Sequence, residues 1–227
     1  LVQVERHVKD GTSAPAGDAV DVLAVTSDLV SARIRLPGTY VYTSPEGRTG
    51  KIVMHRVPSQ VIEGPWTLSF PEGRGAPPEV RLPKLIDWTM HAAPGVRYFS
   101  GTAVYRQRFV LSDGSDGEHA PIILDLGAVK EVATVKVNGK DAGVLWKQPY
   151  RIDIGPLVRS GENTLEISVT NLWNNRIVGD LQTDTDQDFT RTNLKAKFSA
   201  KSPLLPSGLL GPVTLDFPIL TTTTLSL

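Results

Sequence analysis

Between positions 171 and 180 the chain carries Asn171, Trp173, Asn174, Asn175, Arg176 and Asp180. An indole offers an apolar plate for the face of a pyranose ring. Amide, guanidinium and carboxylate groups hold hydroxyls through forked hydrogen bonds. Residues of these types, this close together, support recognition of a sugar. Trp146 and Tyr150, from another segment, are candidates to complete the plate. Two other readings use the same residues. Trp and Arg anchor protein interfaces, so the cluster can dock on a neighbouring domain. Asn and Arg also tie loops down by bonding backbone carbonyls, with Trp filling the end of a core. By composition the cluster reads as too polar for a core, and the sequence leaves the three readings open.

A second group is acidic. Asp184, Asp186 and Asp188 alternate, with Asp180 nearby, and alternate carboxylates in a loop can supply oxygen ligands to Ca²⁺. The EF-hand pattern fails: counting from Asp184, the sixth position is Phe189 rather than Gly, and the twelfth is Lys195 rather than Glu. A solvated loop is the competing reading. His7, His55, His91 and His119 are scattered without the spacing of a zinc site. Ser207-Gly208 follows a proline and lacks the strand–turn–helix context of a nucleophilic serine. No glycine-rich phosphate loop occurs, so no nucleotide cofactor is expected.

These side chains must be held by strands. No long amphipathic helical pattern is present; apolar and polar residues alternate instead. Residues 39–43 and 51–55 flank Ser44-Pro45-Glu46-Gly47-Arg48, a hairpin signal. Residues 96–111 read as one long strand, with Tyr105, Phe109 and Leu111 on one face and Arg106 and Arg108 on the other. Ile122, Leu124 and Leu126 alternate, as do Ala133, Val135 and Val137. Asn138-Gly139 then closes a tight hairpin. Ile152 and Ile154, then Leu165, Ile167 and Val169, alternate with polar residues, giving one dry and one wet face. A final strand is expected at 213–217. Residues 1–20 read as loop and 221–224 as a frayed tail. Pro58 and Gly64-Pro65 punctuate a boundary. The expectation is an all-β protein: a small N-terminal β region at 1–60, a jelly-roll, galactose-binding-like β-sandwich at 61–220, and a tail at 221–227.

Composition narrows the partners. Lys plus Arg and Asp plus Glu are equal at 24 each, which removes the electrostatic footprint expected for nucleic acid or an anionic membrane. No apolar run approaches the roughly 20 residues that span a bilayer. There is no cysteine, hence no disulfide and no thiolate chemistry. The first residue is Leu and no signal peptide follows, so the chain reads as a processed product or a piece of something longer.

Several segments resemble a known group. Residues 98–106 (YFSGTAVYR), 124–127 (LDLG), 135–139 (VKVNG) and the turn at 161–163 (GEN) resemble the sugar-binding-like sandwich domains of glycoside hydrolase family 2 and its relatives. Residues 170–180 (TNLWNNRIVGD) and 202–213 (SPLLPSGLLGPV) resemble segments near the C-terminus of family 106 α-L-rhamnosidases, in the same order and at a similar separation. The resemblance covers roughly residues 60–217. It implies a glycosidase whose catalytic carboxylates lie in an upstream (β/α) barrel. A barrel of about 250 residues and eight helices has no place in this chain. Nor do Glu131, Asp153, Glu162 and Glu166, on solvent faces or near turns, form the carboxylate pair a glycosidase uses. The expected role is therefore an accessory module, with the missing catalytic domain of the same polypeptide and a rhamnose-containing carbohydrate as partners. The alternatives are a free-standing carbohydrate-binding module or a purely structural domain. The expected location of such a protein is periplasmic or secreted.

Overall fold

The structure is a computed structural model that describes residues 2–8, 13–14, 16–111, 121–182, 189–190, 192–193 and 197–226. Two compact units divide the chain: one takes residues 1–60, 121–123 and 215–227, the other residues 61–120 and 124–214.

The first unit has two antiparallel sheets. In one, the order is Ser13–Ala14, Gln3–His7, Gly38–Thr43, Thr49–Met54. In the other it is Ile219–Thr224, Leu29–Ile34, Val20–Val25. The hairpin expected around residues 44–48 is present, with Tyr40 opposite Ile52 and Tyr42 opposite Gly50. The core is Val30, Ala32, Ile34, Tyr40, Tyr42, Ile52 and Leu225. Two expectations fail here. Residues 1–20 are not all loop, because Gln3–His7 pairs along its whole length with Gly38–Thr43. The stretch at 221–224 is not a frayed tail: Ile219–Thr224 pairs residue for residue with Leu29–Ile34, and Leu225 is buried. A run of threonines looks polar, yet β-branching suits a half-buried strand.

The second unit is built on a six-stranded antiparallel sheet. Its order is Lys140–Leu145, Val132–Val137, Gly161–Thr170, Thr102–Leu111, Trp66–Ser69, Glu79–Leu82. Alternation dictates which face is dry. Ala133, Val135 and Val137, then Leu165, Ile167 and Val169, then Ala103, Tyr105, Phe109 and Leu111 are all buried. Shorter strands add buried Leu124, Val129 and Leu209, completing the galactose-binding-like β-sandwich. Asn138 (φ 52°) and Gly139 (φ 76°) form the expected two-residue turn, in which both central residues adopt positive φ. The strand expected at 96–111 starts later. Pro94–Arg97 is a short helix, and pairing begins at Thr102, because proline at the first helical position supports a turn of helix and cannot donate to a ladder. The helices described are short, four residues at Pro94–Arg97 and seven at Asn174–Asp180. None is long and apolar enough to cross a membrane.

Candidate functional site

The polar cluster proves to be interior. The segment folds as the helix Asn174–Asp180, and Asn175 (1% exposed), Arg176 (5%) and Asp180 (7%) are buried along it. Their polarity is satisfied within the fold. Asn175 donates from Nδ2 to the Leu205 carbonyl (2.7 Å) and to Ser207 Oγ (3.0 Å), while its Oδ1 accepts from the Leu205 amide (2.8 Å). Asn171 does the same one turn earlier. Its amide donates to the Phe99 carbonyl (2.8 Å) and to Ser207 Oγ (3.2 Å), and its Oδ1 accepts from the Gly101 amide (3.0 Å). Arg176 donates from Nε to Asp180 (2.8 Å), and Asp180 accepts from the Thr190 amide through its other oxygen (2.8 Å). The guanidinium lies 4.8 Å over the Phe189 ring and 6.0 Å from that of Tyr98, within cation–π range. A side chain at Gly179 would lie against Arg176 and Tyr98. The reading that this cluster is too polar for a core is corrected: amides and an ion pair are tolerated inside because every one finds partners.

The same bonds join the two motifs that looked separate in sequence. Ser207 receives bonds from both Asn171 and Asn175. Its amide donates to Asp87 Oδ1 (3.0 Å), and its carbonyl accepts from the Trp88 amide (3.0 Å). Trp88 in turn donates from its indole to the Tyr105 hydroxyl (2.6 Å), which also accepts from the Leu209 amide (3.0 Å). Burial raises the pKa of Tyr105 far above its ordinary value and keeps it protonated. Trp88 stacks on the Tyr105 ring, and Trp88, Phe70 and Phe99 pack edge to face with one another, with centroids 4.7–5.8 Å apart. Gly208 is needed for closeness: at φ +97°, a Cβ there would lie 2.5 Å from the Trp88 indole nitrogen. Sequence reading missed Ser207 as a member of this network. The flanking prolines and glycines marked a turn without showing what it approaches.

The exposed members of the predicted site are few. Trp146 is 68% exposed and Trp173 is 43% exposed, with Lys147 Nζ 5.3 Å from the Trp146 ring centre. Asn174 is half-buried. Leu145 pairs with Ala133, and Ala133 with Val169, so Trp146 and Trp173 both follow the same end of the six-stranded sheet. Tyr150 does not supply a second plate. It is buried, and its hydroxyl donates to the Glu131 carbonyl (2.8 Å). What this end offers a ligand is two exposed indoles and the half-buried Asn174. Asp184, Asp186 and Asp188 lie outside the described residues. Among the described residues, no group of three or more His, Asp or Glu is arranged to hold a metal ion.

Comparison with known proteins fits this geometry. Residues 95–198, all but 121–123 within the sandwich unit, match the family of glycosyl hydrolase 2 galactose-binding domain-like proteins. Over 203 residues, 79% of this chain, the sequence is 35% identical to a Formosa agariphila protein named for β-glucuronidase activity. The structure of a rhamnosidase from Novosphingobium sp. PP1Y matches 94% of this chain at 35% identity, with a TM-score of 0.66. The chain spans about a fifth of the length of these relatives, 18% of the first and 20% of the second.

Proposed function

We propose that this chain is an accessory, non-catalytic β-sandwich module of an α-L-rhamnosidase-like glycoside hydrolase, acting in the periplasm or outside the cell. In this reading it buttresses a catalytic barrel carried on the same polypeptide. Its Trp146–Trp173 end meets either that barrel or a rhamnose-containing carbohydrate. The observation that carries the reading is the likeness of nearly the whole chain to one fifth of a solved rhamnosidase. The internal bonding of Asn171, Asn175, Arg176 and Asp180 supports it too: a rigid, fully satisfied end suits a buttress better than an adaptable binding loop.

The test has two arms. The longer polypeptide is assayed on an aryl α-L-rhamnoside and an aryl β-D-glucuronide, with and without this segment. Cleavage of the rhamnoside, weakened when the segment is removed, is expected; cleavage of the glucuronide alone overturns the rhamnosidase assignment. Separately, the chain is titrated with L-rhamnose and rhamno-oligosaccharides, followed by tryptophan fluorescence, in wild type and in Trp146→Ala and Trp173→Ala. The second reading, a free-standing carbohydrate-binding module, is favoured by the exposure of Trp146. It requires a saturable response that these variants lose. A flat response to millimolar sugar sinks it and leaves docking.

A further inference from the structure

The core of the first unit is open along one seam. Thr49 and Ser226 exchange backbone bonds (2.8 and 2.9 Å), so the two sheets of this unit run on into one another. The combined order ends at Gln3–His7, extended by Ser13–Ala14, on one side and at Val20–Val25 on the other. Among the described residues, Val20–Val25 pairs only with Leu29–Ile34. Ser13–Ala14 reaches only Arg6 and His7, so Gln3, Val4 and Glu5 have no strand beside them on that edge among the described residues.

The side chains at this seam belong to the core face yet stand in solvent. Val20, Val22 and Val25 lie opposite Ile34, Ala32 and Val30. Directly opposed residues share a face, and Ile34, Ala32 and Val30 are all 0% exposed. Val20 is covered in the same way, at 8%, but Val22 is 39% exposed and Val25 46%. Val2, packed against the same core, lines the opening with Val22, Val25, Pro45 and Arg48. The result is a groove of about 660 Å³. Two valines on a core face left wet forgo the gain that burial would bring.

The lining also says what fits. Arg48 is already held by Asp28 (2.7 Å) and the Ser27 carbonyl (3.1 Å), and no aromatic side chain lines the groove. A sugar would find neither a stacking plate nor a free guanidinium fork. What is left unpaired is the row of backbone groups of Val20–Val25 that point away from Leu29–Ile34, beside inward apolar side chains. An extended strand with apolar residues at alternate positions meets both needs. A second copy of this chain is the poorer candidate. The ladder shifts between Val22 and Ala24, and a bulged edge hinders pairing with chance partners. A strand tethered to the same polypeptide arrives at high effective concentration, which offsets that hindrance. Relatives have the length to supply one, since this chain spans about a fifth of them.

We infer that this groove seats a β-strand supplied by another part of a longer polypeptide, which adds to the free edge of Val20–Val25 and covers Val22 and Val25. The core of the first unit is closed by that strand. The inference rests on the reading above only in taking the chain as part of a longer polypeptide. It is independent of which glycoside that polypeptide cleaves and of what the Trp146–Trp173 end meets.

The test is amide hydrogen exchange, read by mass spectrometry, on this chain and on the longer polypeptide, with the mass of this chain in solution measured alongside. The expected result is a monomeric chain in which the amides of 20–25 exchange roughly tenfold faster than in the longer polypeptide, while those of Gly161–Thr170 are equally slow in both. Equal exchange over 20–25 in the two overturns the inference. So does a dimeric chain in which these amides are already slow, because a second copy is then the occupant. The doubly substituted variant Val22→Asp, Val25→Asp, made in the longer polypeptide, should return the 20–25 amides to the faster rate. Both positions are exposed in this chain, so the same variant of the chain alone should unfold near the wild-type temperature. Slow exchange that persists in the folded variant overturns the inference, since the strand would not rest on these valines. Should the variant fail to fold, the wild-type comparison still decides. Failure of the longer polypeptide to cleave a rhamnoside bears only on the glycosidase reading.

Discussion

Two polar regions of the sandwich unit spend their hydrogen bonds in opposite ways. At the Asn171–Asp180 end, amides, a guanidinium and a carboxylate are turned inward, and their partners are backbone groups of residues 99, 101, 190 and 205, the Ser207 hydroxyl and, for Arg176 and Asp180, each other. On the outward face of the six-stranded sheet, cations stand in solvent with carboxylates across from or beside them. A dense polar motif in sequence is therefore no guide to a binding surface. A motif grows dense when several polar groups must satisfy one another in a small dry volume. The charges of the outward face are instead spread across strands at alternate positions, where cross-strand neighbours oppose them.

The comparison breaks most readily at Arg176. Removing its side chain leaves Asp180 buried with half of its bonding lost, so Arg176→Ala should cost on the order of 3–5 kcal/mol in denaturant unfolding. A loss under about 1 kcal/mol would mean the ion pair is not dry. Asn175→Ala strands the Leu205 amide and carbonyl and should cost about 1–3 kcal/mol. If it instead leaves stability intact while abolishing a rhamnose response, the inward-turned reading fails. Lys136→Ser and Arg81→Ser, at exposed positions, should change stability by no more than about 0.5 kcal/mol. A large thermal shift would give these cations a structural role.

The smallest effects belong to the buried tyrosines of the first unit. The Tyr42 hydroxyl is buried with no partner among the described residues, and burial pushes its pKa from 10.0 up to about 12. The folded state holds this proton more tightly than the unfolded chain does. Its contribution to stability is therefore whole below pH 10 and is lost as pH rises toward 12. Alkaline unfolding in that window should weaken in Tyr42→Phe. The same variant, relieved of an unsatisfied hydroxyl, should be at least as stable as wild type at neutral pH. A destabilised Tyr42→Phe would show that the hydroxyl has a partner.

Much of this was legible beforehand. The all-β class, the hairpins at 44–48 and 138–139, and the dry faces of 133–137 and 165–169 followed from a period of two and from turn chemistry. Arg106 and Arg108 were placed on their common face by the same alternation. The threonine-rich strand Ile219–Thr224 was not legible, because its pairing partner, Leu29–Ile34, is nearly two hundred residues away. Nor was the inward turn of Asn175, Arg176 and Asp180: a short helix of seven residues has too little pattern to show which side is dry.

The sequence by itself determined which residues alternate, where the chain reverses, and which segments carry chemistry, because these depend on neighbours within a few positions. The tertiary structure alone decided two things. It brought residues 99–101, 171–180 and 205–207 into one hydrogen-bonded network, and it set Lys136, Arg106 and Arg81 in line. Strand order and register create both, and they are fixed by burial of the opposite faces across distances that local pattern does not span.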